Sequence, residues 1–306
     1  MKKIICIGEC GLDIIFAGGA PVATTLSGRV AHVAMLLARM GLPVLMASEA
    51  AADPVGDEVV GRLAAAGVNT EIIDRFVEGR TPVTIYTAAA DTAAVVTRYE
   101  DYSDECFDIV WPRVDEADII VVGDYYAIDP RMRRRMAQFL SHCAERKALV
   151  VYLPGYMMQQ EPRITRVMSA ILDNLEVADI VVTRSADLKQ VFGNGNAAEC
   201  YRNHIGFYSG SLINVDVAAG RIDYCSSGDV VSLDIAAADA ATADTLAWRA
   251  GMIAGIVREL HAMGVAHEGL DTVSVAARRA IIDSGVKAAA EAVKAVAADP
   301  WIARHA

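Results

Sequence analysis

Residues 235–255 read IAAADAATADTLAWRAGMIAG. One acidic side chain, Asp244, stands where a long apolar helical pattern begins, behind a run of small residues. The unpaired N–H groups of a helix's first turn attract anions. A carboxylate beside them is placed to take a proton from a hydroxyl while a phosphoryl group arrives. The same position also suits an acid that only steadies the helix dipole. Residue type and spacing leave both roles open.

Other candidates depend on the elements that carry them. Short apolar runs alternate with helical stretches along most of the chain. "KKIICIG", "PVLMAS", "ADIIVVG" (117–123), "ALVVYLP" (148–154) and "ADIVVT" (178–183) read as strands. "GRVAHVAMLLARMG" has helical spacing and stops at Gly41, and "DPVGDEVVGRLAAAG" starts near Asp53-Pro54 and stops at Gly67. Further helices are expected at about 130–146, 162–176, 242–264 and 271–298. Continuous apolar strands suit a mostly parallel sheet covered on both faces, so the fold class is three-layer α/β/α. Residues 80–102 instead alternate and carry Thr, Val and Tyr, which predicts a hairpin with its turn near 89–92. In an open α/β sheet, ligands gather beyond the carboxyl ends of the strands. That selects Glu9, Asp13, Gly123, Asp124, Pro154, Gly155 and the stretch Arg184 to Asp187.

Composition narrows the classes of partner. The chain has 306 residues, 54% of them hydrophobic, and a formal net charge of −11. That balance disfavours a broad nucleic-acid surface or docking on anionic membranes. The basic run "DPRMRRRM" at 129–136 reads as one solvated helix face. Six cysteines are scattered without a C-x-x-C pair, which argues against a structural zinc and for reduced thiols in a cytoplasm. At the start, Glu9 and Asp13 interrupt the apolar run, so a buried first strand is expected rather than a leader. Gly18-Gly19 lacks dinucleotide-loop spacing and reads as a turn, and "GNGN" (193–196) as a helix stop.

Several stretches in order resemble the ribokinase-like, or PfkB-type, carbohydrate kinase family. These are "IGECGLDII", "SGRVAHVAMLLARMG", "AADPVGDEVVGRLAAAGVNTEII" and "ATADTLAWRAGMIAG". The resemblance spans nearly the whole chain and implies one ribokinase-like domain over 1–306. It also implies a small β-sheet lid formed by about 14–27 and 80–102. The implied reaction is ATP-dependent phosphorylation of a sugar-like hydroxyl, with Mg²⁺. Asp13, Gly28, His32 and Arg98 would hold the sugar, and Asp244 would be the base. The amides of Ala241, Thr242 and Ala243 would form the anion hole, with Arg184 and Asp187 on the nucleotide and Mg²⁺ side. The resemblance leaves no direct protein ligand for a metal. A homodimer joined through the lid is expected, because its edge strands invite pairing.

The family's motifs are altered here. Gly-Ala-Gly-Asp reads Ala241-Thr242-Ala243-Asp244, and Asn-x-x-Glu reads Arg184-Ser185-Ala186-Asp187. Gly-Gly reads Ser27-Gly28, and the helix Asn reads His32. Glycine allows backbone angles closed to alanine and lets a phosphate approach amides closely. Strain at 241–243 is therefore expected. Arg184 either meets a phosphate or lies on the surface, and His32 either meets the sugar or packs beneath the lid. The readings are a sugar kinase of impaired activity, a non-catalytic relative that binds sugar or nucleotide, and a structural dimer paired at the lid's edge strands.

Overall fold

A computed structural model describes residues 2–89, 92–102, 109–155, 161, 163–227 and 229–297. In chain order the strands are β1 (Ile4–Ile7), β2 (Gly11–Ala17), β3 (Ala20–Ser27), β4 (Val44–Glu49), β5 (Ile73–Asp74), β6 (Gly79–Ala89) and β7 (Thr92–Tyr102). They continue as β8 (Ile119–Asp124), β9 (Leu149–Pro154), β10 (Ile180–Arg184), β11 (Ser211–Asp216), β12 (Arg221–Ser226) and β13 (Asp229–Asp234). The helices are α1 (Arg29–Arg39), α2 (Pro54–Ala65), α3 (Arg133–Glu145), α4 (Met168–Val177), α5 (Ser185–Phe192), α6 (Ala197–Asn203), α7 (Ala237–Ala240), α8 (Leu246–Met263) and α9 (Val275–Ala297).

Nine strands form one sheet in the order β13-β12-β11-β10-β9-β8-β1-β4-β5. From β5 to β11 the neighbours are parallel, and β12 and β13 complete an antiparallel edge. The two-residue period of a strand divides each apolar run between two cores. Ile4, Cys6, Ile119 and Val121 join a core with α1, α8 and α9, while Ile5, Ile7, Ile120 and Val122 join one with α3 and α4. The covered, mostly parallel sheet matches the expectation from the continuous apolar strands. Residues 211–234 did not stand out in the sequence as three strands. Polar residues interrupt each of the three runs, and only the edge strand β13 is largely exposed, which weakens the apolar signal.

Helices α8 and α9 pack through small residues. A Cβ added at Gly255 would lie 2.3 Å from the Ser284 carbonyl oxygen, and the Ser284 hydroxyl donates to the Gly255 carbonyl at 2.9 Å. Backbone cannot yield there as a flexible side chain could. Gly255→Ala is expected to destabilise the chain by about 1–3 kcal/mol. The check is a chemical denaturation midpoint, which should fall with an unchanged slope.

A second, four-stranded sheet has the order β3-β2-β6-β7. Gly18 and Gly19, at φ 60° and 81°, make the tight turn between β2 and β3. The predicted hairpin at 80–102 is β6 and β7, and its turn at 90–91 lies outside the described residues. Register sets Asp13 of β2 between Thr25 of β3 and Thr84 of β6.

The helix expected from 242 begins later. Its N-cap is Thr245, whose hydroxyl accepts from the Trp248 N–H at 3.3 Å and donates to the Thr242 carbonyl at 2.7 Å. Asp244 therefore lies one residue outside the cap. A threonine with its own capping bonds fixes the start in place of the acid before it.

Candidate active site

A cleft of about 940 Å³ opens between the carboxyl ends of the central strands and the small sheet. Glu9 after β1, Asp124 ending β8, Pro154 and Gly155 at the end of β9, and Arg184 ending β10 line one side. Asp13, Thr84, Tyr86, Arg98 and Glu100 of the small sheet line the other. Leu246 and Arg249 of α8 close one end.

Asp13 is the central group on the small-sheet side. It is 5% exposed, and its Oδ1 has no hydrogen-bond partner among the described residues. Burial pushes its carboxyl up to about 6, against the pull of the Ser27 and Thr84 hydroxyls and the Arg98 cation. A buried carboxylate oxygen without a donor carries an unmet desolvation cost, which a hydroxyl donor reaching it would relieve. Arg98 also lines the cleft, but its guanidinium is paired with Glu9 at 3.1 Å and Glu100 at 2.9 Å. It ties the small sheet to the segment after β1. Burial raises the Glu9 carboxyl as well, against the pull of Arg98.

Gly28 caps α1 at φ 91°, where a Cβ would lie 2.5 Å from the Glu9 carbonyl oxygen. Only glycine permits that contact between the start of α1 and the cleft floor. Asp124 sits at φ 61° and ψ −174°, a region nearly reserved for glycine that costs about 1–3 kcal/mol. The strain aims its Oδ2 at the Val30 N–H, 3.0 Å away, and sets Oδ1 3.7 Å from the Arg29 Nε. His32 does not line the cleft. Its Nε2 lies 2.8 Å from the Leu26 carbonyl and 3.4 Å from the Thr25 hydroxyl, so it braces β3 against α1.

At the other end, Arg184 is central. It lies in the cleft wall rather than on the surface, with its side chain 22% exposed. Its Nε and Nη2 donate to the two oxygens of Asp187 at 3.0 and 2.6 Å, and its Nη1 donates to Asp244. Arg184 holds the Asp187 carboxyl below its ordinary value despite burial. Asp244 is not among the residues lining the cleft: its side chain is 65% exposed and, among the described residues, touches the cleft wall only through its ion pair with Arg184.

The expected strain at 241–243 is absent. Ala241 is right-handed, at φ −64° and ψ −23°, and none of the three residues has a positive φ. Without glycines the segment closes into ordinary turns. The N–H of Thr242 donates to Asp239 O at 3.0 Å and that of Ala243 to Ala240 O at 3.4 Å. Ala243 is fully buried and Ala241 is exposed.

Two arginines at this end went unrecognised in the sequence. Arg29, the first residue of α1, donates from Nη2 to the carbonyls of Leu153 and Pro154, both at 3.1 Å. Arg249 is one turn into α8. A lone cation inside the apolar pattern LAWRAGMIAG was the available signal for Arg249. Nothing in the sequence marked Arg29 apart from its neighbour Gly28.

The sequence model of the pfkB family carbohydrate kinases matches residues 1–202. The chain belongs to the pfkB family of carbohydrate kinases. Solved structures share the fold over almost the full length. A fructokinase from Xylella fastidiosa is 18% identical, with 99% of this chain and 97% of that chain covered and a TM-score of 0.75. The same organism's fructokinase with bound ATP is 18% identical over 95% of this chain and 90% of that one, again with a TM-score of 0.75. Aminoimidazole riboside kinase from Salmonella enterica is 14% identical, with 94% and 92% covered and a TM-score of 0.73. No curated protein matches the chain in sequence.

Proposed function

We propose that the protein is an ATP-dependent sugar kinase. Asp13 receives hydroxyls of a sugar-like acceptor, and Asp244 takes the proton from the hydroxyl that is phosphorylated. The observation that carries this reading is the arrangement of one cleft in a chain of this family. A buried cleft-lining carboxylate with one oxygen unpartnered among the described residues stands on the small-sheet side, and Arg184, with Asp244 on its guanidinium, stands at the far end. ATP supplies the phosphoryl group. The cationic wall of Arg29, Arg184 and Arg249 fits a polyphosphate, because fixed guanidinium groups match phosphate oxygens in geometry and charge. Arg184 holds Asp244 at the cleft's edge until phosphate charge competes for the guanidinium. The small sheet serves as a lid that excludes water from the cleft.

The protein side fits Mg²⁺ poorly. Both oxygens of Asp187 are engaged by Arg184. No step is assigned to a protein-held metal.

A second reading is a non-catalytic relative that binds a sugar or nucleotide. It is favoured by the amides of Thr242 and Ala243, which are closed into turns instead of converging on the cleft. A coupled assay of ADP release over hexoses, pentoses and nucleosides separates the two. Turnover with at least one acceptor supports the kinase. No turnover, together with a melting temperature raised by a sugar or by ATP, supports the binder.

A further inference from the structure

Three arginines stand together at the α8 end of the cleft, each at or near the start of a helix. Arg29 is the first residue of α1, Arg184 the N-cap of α5, and Arg249 lies in the first turn and a half of α8. All three line the same cleft. Helix N-termini add positive potential to that of the guanidinium groups. Such a concentration of charge is normally neutralised from within, and here it is neutralised unevenly. Arg184 has Asp187 and Asp244. The Arg29 side chain is 8% exposed and lies 3.7 Å from Asp124, but its buried Nε has no hydrogen-bond partner among the described residues. Arg249 donates no hydrogen bond and joins no ion pair among the described residues. Burial, then the cations of Arg29 and Arg184, push the Arg249 guanidinium down to about 9, against the smaller pull of the Asp187 and Asp244 charges. The protein thus holds a desolvated cation beside two others, in a cavity, without an anion of its own.

We infer that Arg249 and Arg29, with Arg184, form a phosphoryl-binding subsite of the cleft, in which guanidinium groups supply the donors that the turn-closed amides of Thr242 and Ala243 do not. The inference deepens the kinase reading and rests on it only for the source of the phosphoryl group. That source is either the terminal phosphates of a nucleotide or a phosphate already carried by the acceptor. The chemistry of recognition is the same: a tetrahedral dianion with oxygens in reach of planar, fixed donors. Arg249 is the decisive member because it has no other engagement. Arg184 must share its donors with two carboxylates, and Arg29 is already anchored to the β9 carbonyls.

Calorimetric binding of pyrophosphate, ATP and fructose 6-phosphate tests the inference, using the full chain as wild type, Arg249→Met and Arg249→Lys. Pyrophosphate is expected to bind the wild type and to weaken at least 10-fold in Arg249→Met. Arg249→Lys, which keeps the charge but not the fork, is expected to fall between them. The unliganded Arg249→Met protein is expected to melt at or above the wild-type temperature, because it loses a cation that burial and like charge disfavour. A purely structural role would lower the melting temperature instead. Parallel weakening of ATP assigns the subsite to the nucleotide, and parallel weakening of fructose 6-phosphate assigns it to the acceptor. Equal binding of every phosphate ligand by Arg249→Met and wild type overturns the inference, as does a wild type that binds none of them. Should Arg249→Met fail to fold, an Arg249→Lys protein that binds pyrophosphate as the wild type does overturns it too. Sugar phosphorylation that survives Arg249→Met unchanged defeats the subsite and leaves the kinase standing. Arg249-dependent pyrophosphate binding without phosphoryl transfer does the reverse.

Discussion

Asp244→Asn is expected to lower turnover by about 10²–10⁴-fold, the range associated with losing a positioned general base. The amide keeps the size of the carboxylate but is a far poorer proton acceptor. Its effect should fall on kcat and leave the acceptor's affinity nearly unchanged, since Asp13 and the small sheet stay as they were. Stability should barely move. The Asp244 side chain is 65% exposed, and an exposed ion pair contributes about 0–1 kcal/mol. Arg184 would keep its paired contacts with Asp187 at 3.0 and 2.6 Å. Steady-state kinetics beside a thermal melt checks both parts. Full turnover in a folded Asp244→Asn protein would remove Asp244 from the chemistry.

Asp13→Asn has the second large effect, and its two consequences run in opposite directions. Hydrogen bonds to a charged partner contribute about 1.5–3 kcal/mol each, so loss of the carboxylate should weaken acceptor binding by about 10-fold to 100-fold or more. The unliganded protein should become more stable at pH 8. The folded-state carboxyl lies at about 6, above the ordinary value of 3.8, so the folded chain binds the proton more tightly than the unfolded one. Its contribution to stability is whole below the unfolded value and is lost as pH rises through about 6. A shift of this size corresponds to at most about 3 kcal/mol. Asn carries no charge to desolvate, so the variant's advantage should be absent near pH 4 and full near pH 8. Denaturation midpoints at both pH values measure it. An Asp13→Asn protein less stable than wild type at pH 8 would mean that the carboxylate is held by contacts stronger than those of Ser27 and Thr84.

The fold was legible because its strands are bounded and apolar on both faces. β1, β8 and β9 are buried along their length, and their runs begin and end within a residue or two of expectation. The hairpin of the small sheet was legible by contrast, since β6 and β7 alternate where the main strands do not. Helix α8 starts later than the pattern from 242 suggests, because Thr245 caps it and Asp244 lies outside the cap. The site was legible where position follows from topology. Asp13, Gly28, Arg98, Arg184 and Asp187 all line the cleft. It was not legible where position follows from packing. His32 turns to the Leu26 carbonyl, and Arg249 enters the cleft from a helix face that looks apolar throughout. Nor could spacing show how 241–243 would respond to losing glycine. The segment forms turns, with Ala241 right-handed, in place of a strained loop, and those turns engage two amides of the implied anion hole, those of Thr242 and Ala243.

Phosphorus NMR of ATP and Mg²⁺ incubated with the protein and a panel of sugars and nucleosides decides whether the cleft transfers a phosphoryl group. With at least one acceptor, a new phosphate monoester resonance is expected to grow in step with ADP, absent without that acceptor and absent with Asp244→Asn. ATP resonances unchanged across the panel, or inorganic phosphate released equally with and without acceptors, would rule out a sugar kinase.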